Sequence, residues 1–156
     1  MSGEFKEYLE LVNQQIKELV GIYRGAVSRS GISENEFWVW YSLVAGDDEC
    51  SQQDICSAWS LSKQTVNTIV MHMAQKGFVT LEVVPGTRNR KNIRLTQAGR
   101  EYGEFIVTPI SQAERKAFEK LPLENWIACT RAFSQYIDAL KEEIRETKQK
   151  QKGDNQ

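Results

Sequence analysis

The stretch SLSKQTVNTIVMHMAQKGF, from Ser60 to Phe78, predicts one helix with two chemically different faces. One face is apolar at the three- and four-residue spacing of an α-helix and predicts packing against a core: Val66, Ile69, Val70 and Met73. The opposite face has almost no charge but many hydrogen-bonding side chains: Lys63, Gln64, Asn67, Thr68, Met71, His72 and Gln75. A merely solvated face usually carries interleaved Glu and Lys, so this composition indicates a binding surface.

The residues around this stretch predict a helix-turn-helix followed by a β-hairpin. Ser51, with Asp54 in the capping-box position, starts a short helix, and Ser62 caps the helix that closes at Gly77. Two alternating runs then predict strands: Val79, Leu81 and Val83, and after a turn Ile93 and Leu95. The segment PGTRNRKN between them is the predicted tip of the hairpin, or wing.

Helices are predicted on both sides of this lobe. An apolar stripe at helical spacing predicts a first helix over residues 4–28, and Ser33 caps a second that stops at Gly46. Thr96 caps a helix that Pro109 is expected to break or kink, and a last helix follows Leu121-Pro122 to about Lys148. The predicted organisation is one chain with a winged-helix lobe (33–100), flanking dimerisation helices (4–28 and 109–148) and a frayed tail (149–156). Its fold class is mainly α with a small β-hairpin wing.

The last helix carries a heptad-like seam that needs a partner. Its positions follow at intervals of four and three residues: Trp126, Thr130, Phe133, Ile137, Leu140 and Ile144. The partner is either the N-terminal stripe of the same chain or that of a second copy, and we favour the second copy. The predicted dimer interface comprises Phe5, Tyr8, Val12, Phe133, Ile137, Leu140 and Ile144.

Composition and charge narrow the function classes. The 156 residues have a net charge of −1, yet residues 60–100 contain seven basic residues and one acid, a local net charge of +6 that attracts phosphates. No apolar run is long enough to cross a membrane, and no secretion signal is recognisable. Three irregularly spaced cysteines suggest no disulfide framework and favour a reducing cytoplasm. No cofactor is predicted, and nothing in the motifs indicates an enzyme.

A winged helix-turn-helix with these surfaces predicts binding to double-stranded DNA. A major groove admits one α-helix, and Asn, Gln, Thr, Ser and Lys suit the donors and acceptors on base edges. The backbone N–H groups that follow Ser62 can bind a phosphate oxygen. Arg88, Arg90 and Lys91 at the wing tip are predicted to enter the minor groove, and Arg94 on the returning strand to contact phosphate. The competing interpretation is a winged helix that binds another protein.

The run LSKQTVNTIVMHMAQKGFVTLE, followed by a basic wing and IRLTQAG, resembles the multiple-antibiotic-resistance regulator (MarR) family. The resemblance is tightest from about Ser51 to Gly99 and extends into the flanking helices. It implies a triangular homodimer on a pseudo-palindromic operator and repression relieved by a small molecule or an oxidant. It also implies that the recognition helix contains Ser62, Lys63, Gln64, Thr65, Asn67, Thr68 and His72, and that the wing contains Arg88, Arg90 and Lys91. Together with Arg94, these are the predicted DNA-binding residues.

The wing departs from the family pattern at one place. Members usually carry an Asp, one further residue and an Arg where the returning strand begins, but Thr87 and Asn89 occupy those positions here. Arg88 and Arg90 flank them, so the identity of the minor-groove arginine is open. The missing Asp also predicts weaker bracing of the wing.

Two kinds of control site follow from the resemblance. Effectors bind between the dimer helices and the DNA-binding lobe in the family, where a small aromatic or lipophilic molecule would meet Tyr23, Phe37, Trp38 and Tyr41. Alternatively, these aromatic side chains are simply core. A redox-responsive regulator is the other alternative, but Cys50 follows acidic residues and Cys56 and Cys129 lie in amphipathic helices, which favours buried structural thiols. No metal site is predicted, because Cys50, Cys56 and His72 lack zinc-ligand spacing.

Overall fold

The computed structural model describes residues 3–46, 50–84, 86–87 and 91–153. Within these residues the chain is mainly helical with a small antiparallel sheet, which confirms the predicted fold class. The elements in chain order are α1 (Gly3–Ser28), α2 (Glu34–Ala45), β1 (Cys50–Ser51), α3 (Gln52–Trp59), α4 (Lys63–Gln75), β2 (Val79–Val83), β3 (Lys91–Leu95), α5 (Gln97–Phe118) and α6 (Leu123–Gly153). The chain divides into two compact units, Met1–Gln112 and Ala113–Gln156.

Hydroxyl caps begin four of these helices, as the sequence predicts. The side chains of Ser33 and Ser62 each accept a hydrogen bond from a backbone N–H three residues on, at the starts of α2 and α4. Ser51 forms a complete capping box with Asp54 at the start of α3, and Thr96 Oγ1 accepts from the backbone N–H of the third residue beyond it, in α5. Each cap satisfies an N–H group that the first helical turn leaves without a partner.

The end of α4 turns the chain toward the sheet. Gly77 adopts a φ of 74°, a left-handed conformation that glycine takes without a Cβ penalty. The backbone N–H groups of Gly77 and Phe78 donate to Ala74 and Met73 at 3.0 Å each, the paired hydrogen bonds of a Schellman motif. The turn brings β2 immediately after the helix.

The sheet has three strands in the order β1-β3-β2, one more than the predicted hairpin. Strand β1 is a two-residue strand in which Cys50 pairs with Ile93 and Ser51 with Asn92. Strand β3 begins at Lys91, so the last two residues of PGTRNRKN belong to the strand and the tip is shorter than predicted. Because β1 leads directly into α3, the central wing strand is hydrogen-bonded to the start of the helix-turn-helix.

The core lies in the Met1–Gln112 unit, beneath α4. Trp40 and Phe37 of α2 are its largest fully buried side chains, and Ile55 of α3 and Val66 of α4 are also fully buried. Burying large aliphatic and aromatic side chains of this kind stabilises a fold by about 1.5–3 kcal/mol each. Among the residues that the structure describes, the buried hydrophobic side chains are Val27, Phe37, Val39, Trp40, Leu43, Ile55, Val66, Val70, Met73, Val79, Ile93, Ile106 and Val107.

The structure shows no helix break at Pro109, and the predicted end of the last helix near Lys148 is wrong. Pro109 lies inside α5, which continues to Phe118; burial of Ile106 and Val107 on the preceding turn offsets the hydrogen bond that proline cannot donate. The last helix reaches Gly153 instead of ending near Lys148, because the Lys and Gln residues of this segment are good helix formers. No helix in the part of the chain that the structure describes is both long and apolar enough to span a membrane.

Candidate nucleic-acid interface

Helix α4 buries one face and exposes the other, as the sequence predicts. Val66, Val70 and Met73 are buried, whereas the predicted contact residues Ser62, Lys63, Gln64, Asn67, Thr68 and His72 are exposed. Thr65 is half-buried. The exposed ridge therefore presents amide, hydroxyl, imidazole and ammonium groups and no carboxylate. Such a ridge suits base edges and phosphates, and the phosphates would repel an acidic side chain.

The start of α4 is organised by hydroxyl groups. Ser62 Oγ accepts from the backbone N–H of Thr65 at 3.0 Å and forms a hydrogen bond of 2.8 Å with Thr65 Oγ1. Thr65 therefore helps to build the cap. Thr68 Oγ1 donates to the backbone carbonyl of Gln64 at 2.9 Å, which leaves its oxygen lone pairs as acceptors at the surface.

An amide of α3 reaches the exposed ridge. Gln52 Nε2 donates to Asn67 Oδ1 at 3.4 Å, across 15 positions of sequence. Gln52 was not predicted as a site residue, because periodicity within one helix carries no signal for a contact between two helices. Among the amide side chains of the ridge, Asn67 is thus held from a second element.

The wing turn is closed by a threonine. Thr87 Oγ1 and the backbone N–H of Thr87 donate to the carbonyl oxygen of Val84 at 2.8 and 3.2 Å, and Gly86 has a φ of 79°. Thr87 occupies one of the positions at which the wing departs from the MarR pattern, and it supplies a local hydrogen bond there. Arg88, Asn89 and Arg90 lie outside the described residues, so their predicted roles are untested.

Of the described wing residues, Lys91 and Arg94 carry positive charge in different settings. Lys91 is exposed at the first position of β3. Arg94 Nε lies 2.6 Å from Glu82 Oε2 on β2, in an ion pair whose side chains remain 39% and 55% exposed. The pair has no net charge, so a phosphate contact by Arg94 would compete with Glu82, and Lys91 is the better placed of the two.

The predicted effector residues belong to an aromatic cluster that also includes a fifth ring. Tyr23 and Tyr41 have ring centroids 5.3 and 5.8 Å from that of Trp38, and Trp59 of α3 stacks on Trp38 at 4.1 Å with an interplanar angle of 21°. Phe37 contacts Trp38 but is fully buried, which fits the alternative that it is core. Trp59 Nε1 donates to Ser42 Oγ at 2.6 Å. The role of Trp59 was not predicted, because its stacking on Trp38 joins two helices that are separate in the sequence.

The three cysteines have different surroundings. Cys50 and Cys56 are half-buried, whereas Cys129 is exposed, so the expectation of buried thiols is wrong for Cys129. Burial raises the pKa of Cys50, and the carboxylate of Asp54 raises it further. The acid that opposes ionisation is thus Asp54; the acids before Cys50 lie outside the described residues.

The predicted dimer residues are accessible within each unit. Phe5 and Tyr8 of α1 are exposed and Val12 is half-buried. On α6 the seam positions Phe133, Ile137, Leu140 and Ile144 are all exposed, between 37% and 48%. Contiguous apolar surface of this kind usually marks an interaction site.

Comparisons by sequence and by fold both find similarity to MarR family proteins. The MarR family model matches residues 30–88, which include α2, α3, α4 and β2. No curated protein matches the sequence.

Among solved structures, the MarR family regulator NMB1585 from Neisseria meningitidis shares 24% identity with a TM-score of 0.70, over 90% of this chain and 95% of that one. The structure of the Staphylococcus aureus MepR–DNA complex shares 20% sequence identity with a TM-score of 0.62, and the match covers 85% of this chain and 97% of that one. The structure of CouR from Rhodococcus jostii RHA1 bound to p-coumaroyl-CoA shares 21% sequence identity with a TM-score of 0.62, and the match covers 81% of this chain and 90% of that one. At these identities the likenesses show a common fold. The family match shows that residues 30–88 are similar to the MarR family, and the solved structures show that the chain shares the winged helix-turn-helix fold of MarR family regulators.

Proposed function

We propose that this protein is a sequence-specific, DNA-binding transcriptional regulator that binds a pseudo-palindromic operator as a homodimer and acts as a ligand-responsive repressor. The observation that carries the proposal is the exposed face of α4, which has hydrogen-bonding side chains and no carboxylate, while the other face is buried. As a regulator of DNA it would work in the cytoplasm, and we propose no catalytic activity for it.

The chemistry of α4 favours base contacts over non-specific binding. Gln64 and Asn67 are one turn apart on the exposed ridge, and carboxamides pair with the donor and acceptor of an adenine edge in the major groove. The capped N-terminus of α4 offers backbone N–H groups to a phosphate. Lys91 on the wing adds a charge whose effect does not depend on sequence.

The relatives support both halves of the proposal. The MepR structure is a complex with DNA, and CouR binds p-coumaroyl-CoA. In this chain the half-buried rings of Tyr23, Trp38, Tyr41 and Trp59 form the surface that best suits a small aromatic or lipophilic effector. An effector that binds there will change tryptophan fluorescence and weaken DNA binding, whereas Trp59→Leu will reduce the effect of that molecule.

The alternative function is a winged helix that binds another protein. Such a surface would carry apolar side chains at its centre, because protein interfaces are depleted of charge and enriched in aromatic residues there. Gln64, Asn67 and Thr68 occupy that centre here. Met71 is an exposed apolar residue on the same side, at 43%, but a single such residue does not form an apolar patch.

The test is selection of a preferred duplex from a random library by the full chain, followed by fluorescence anisotropy with selected and random duplexes. We expect Asn67→Ala and Gln64→Ala to weaken binding to the selected duplex about tenfold and to leave the random duplex nearly unaffected. Lys91→Ala should weaken binding to both the selected and the random duplex. It should also reduce by about one the slope of log affinity against log salt concentration, called the salt slope below. Gln135→Ala, at an exposed position of α6 outside the proposed DNA-binding surface, is the control and should change neither.

Two outcomes would contradict this function. One is a failure of the folded, dimeric chain to enrich any duplex. The other is an equal loss of affinity for selected and random duplexes in the Asn67 and Gln64 variants, which would mean that the ridge makes no base contacts.

A further inference from the structure

We propose that Gln52 is a positioning residue that fixes the side-chain amide of Asn67 for reading an adenine. This inference rests on the proposed function, since it assigns a role to a residue outside the recognition helix. It predicts that part of the base specificity of α4 originates in α3.

The contact joins two helices at the edge of the exposed ridge. Gln52 Nε2 donates to Asn67 Oδ1 at 3.4 Å. Gln52 is half-buried, whereas Asn67 is exposed. An exposed amide without such a contact samples several rotamers, and ordering it on binding lowers affinity. A partner on a neighbouring helix reduces that loss, because the side chain is ordered before DNA arrives.

The backbone of Gln52 is itself held from two directions. Gln52 is the first residue of α3 and follows Ser51, whose backbone N–H and hydroxyl both donate to Asp54 Oδ2, at 2.9 and 2.6 Å. Ser51 also pairs with Asn92 of the central wing strand. The backbone position that carries Gln52 is therefore fixed by a capping box and by the sheet.

The hydrogen bond determines which atoms Asn67 presents. It occupies one lone pair of Oδ1 and leaves the other lone pair and both Nδ2 hydrogens available. Adenine offers the N7 acceptor and the N6 amino donor in the major groove, which a carboxamide matches with its N–H and its oxygen. A half-turn of the amide would exchange oxygen and nitrogen and lose that match. Donation from Gln52 opposes this rotation.

The neighbouring Gln53 provides a matched control. Gln53 is the next residue of α3 and has the same side chain as Gln52. Its Nε2 contacts Ser57 Oγ at 3.5 Å within α3, so its amide is directed along its own helix. Substitution by methionine retains the length of glutamine and removes its hydrogen bonds. Gln52→Met and Gln53→Met therefore differ in the contact with Asn67.

The experiment measures discrimination between base pairs by the full-length protein. Each base pair of the duplex selected by the wild type is changed in turn. The base pair read by Asn67 is the one whose change lowers the affinity of the wild type but not that of Asn67→Ala. We expect an A·T pair there. We expect Gln52→Met to reduce discrimination at that pair by about two- to tenfold, and Gln53→Met to leave it unchanged. Other positions and the salt slope should stay at their wild-type values in both variants.

A double-mutant cycle separates positioning from direct contact. In the Asn67→Ala background Gln52→Met should have no further effect, because its role is exercised through Asn67. Additive losses, or a salt slope lowered by about one, would show instead that Gln52 contacts the DNA backbone itself and would overturn the proposal. Unchanged discrimination in both Gln52→Met and Gln52→Ala would also overturn it. Failure of the wild type to select a duplex is a different result and would refute the proposed function.

Discussion

Cys50 has chemistry that bears on redox control. It is half-buried in β1, where burial raises the pKa of its thiol and Asp54 raises it further. A thiol must ionise before it attacks an oxidant or an alkylating reagent, so these surroundings make Cys50 a poor sensor. The family alternative of relief by an oxidant thus gains no support from Cys50.

The raised pKa makes a prediction about stability at alkaline pH. Below the ordinary thiol pKa of 9.0 both folded and unfolded chains hold the proton, and the thiol has no pH-dependent effect. Above 9.0 the unfolded chain releases the proton first, so the free energy of unfolding falls as pH rises toward the folded-state pKa. Chemical denaturation at pH 8 and pH 10 should show a larger loss for the wild type than for Cys50→Ser. An identical loss in the two proteins would contradict the assignment.

Individual residues were predictable from sequence where their role is local. The caps at Ser33, Ser51 and Ser62 were predictable because each satisfies an N–H group within its own first turn. The roles of Gln52 and Trp59 were not, since one is defined by Asn67 and the other by Trp38, both distant in sequence. Contacts between elements require a fold before they can be recognised.

Helix α5 meets the turn before β2 through a glycine. A Cβ built on Gly99 would lie only 1.9 Å from the backbone carbonyl oxygen of Phe78, which cannot withdraw without moving the chain. Thr96 reinforces this junction, because its hydroxyl lies 2.7 Å from the carbonyl of Gly77 and 3.2 Å from that of Phe78. The close approach anchors α5 beside the wing.

Gly99→Ala should therefore destabilise the protein even though alanine is the better helix former. We expect a loss of about 2–3 kcal/mol, at the upper end of overpacking effects, measured as the change in the free energy of unfolding in urea. Ala98→Gly is the reverse substitution at an exposed neighbour and should cost no more than about 1 kcal/mol. A wild-type midpoint for Gly99→Ala would show that the backbone contact is absent in solution.

Helices and strands were predictable from sequence where an apolar repeat extends over many residues. Their ends were not predictable where packing against other elements determines them. The two faces of α4 follow from 13 residues of pattern, whereas the two-residue strand β1 has no pattern and exists only because β3 pairs with it. Pro109 would end an isolated helix, but α5 continues because Ile106 and Val107 on the preceding turn are buried. Burial against the core overrides the local preference of proline.

The proposed function, binding to a pseudo-palindromic operator, requires that two copies of the chain assemble. One winged-helix lobe contacts one half-site, and a dimer fixes the spacing between two half-sites. Within α6 the exposed seam residues Phe133, Ile137, Leu140 and Ile144 recur at four- and three-residue steps, a period that indicates a helical partner. We propose that a second copy covers this seam.

Charge placed in the seam should separate the copies. Ile137→Asp and Leu140→Asp each bury a carboxylate at the proposed interface, where an unpaired charge costs several kcal/mol, so we expect a shift from dimer to monomer in light scattering coupled to size exclusion. Ala139→Asp introduces the same charge on the opposite face of α6 and should leave the dimer mass unchanged. The monomeric variants should also lose most of their affinity for a two-half-site duplex while retaining weak binding to a single half-site. A dimer mass for both seam variants would reject α6 as the interface, and the palindromic operator would then require a different pairing of the lobes.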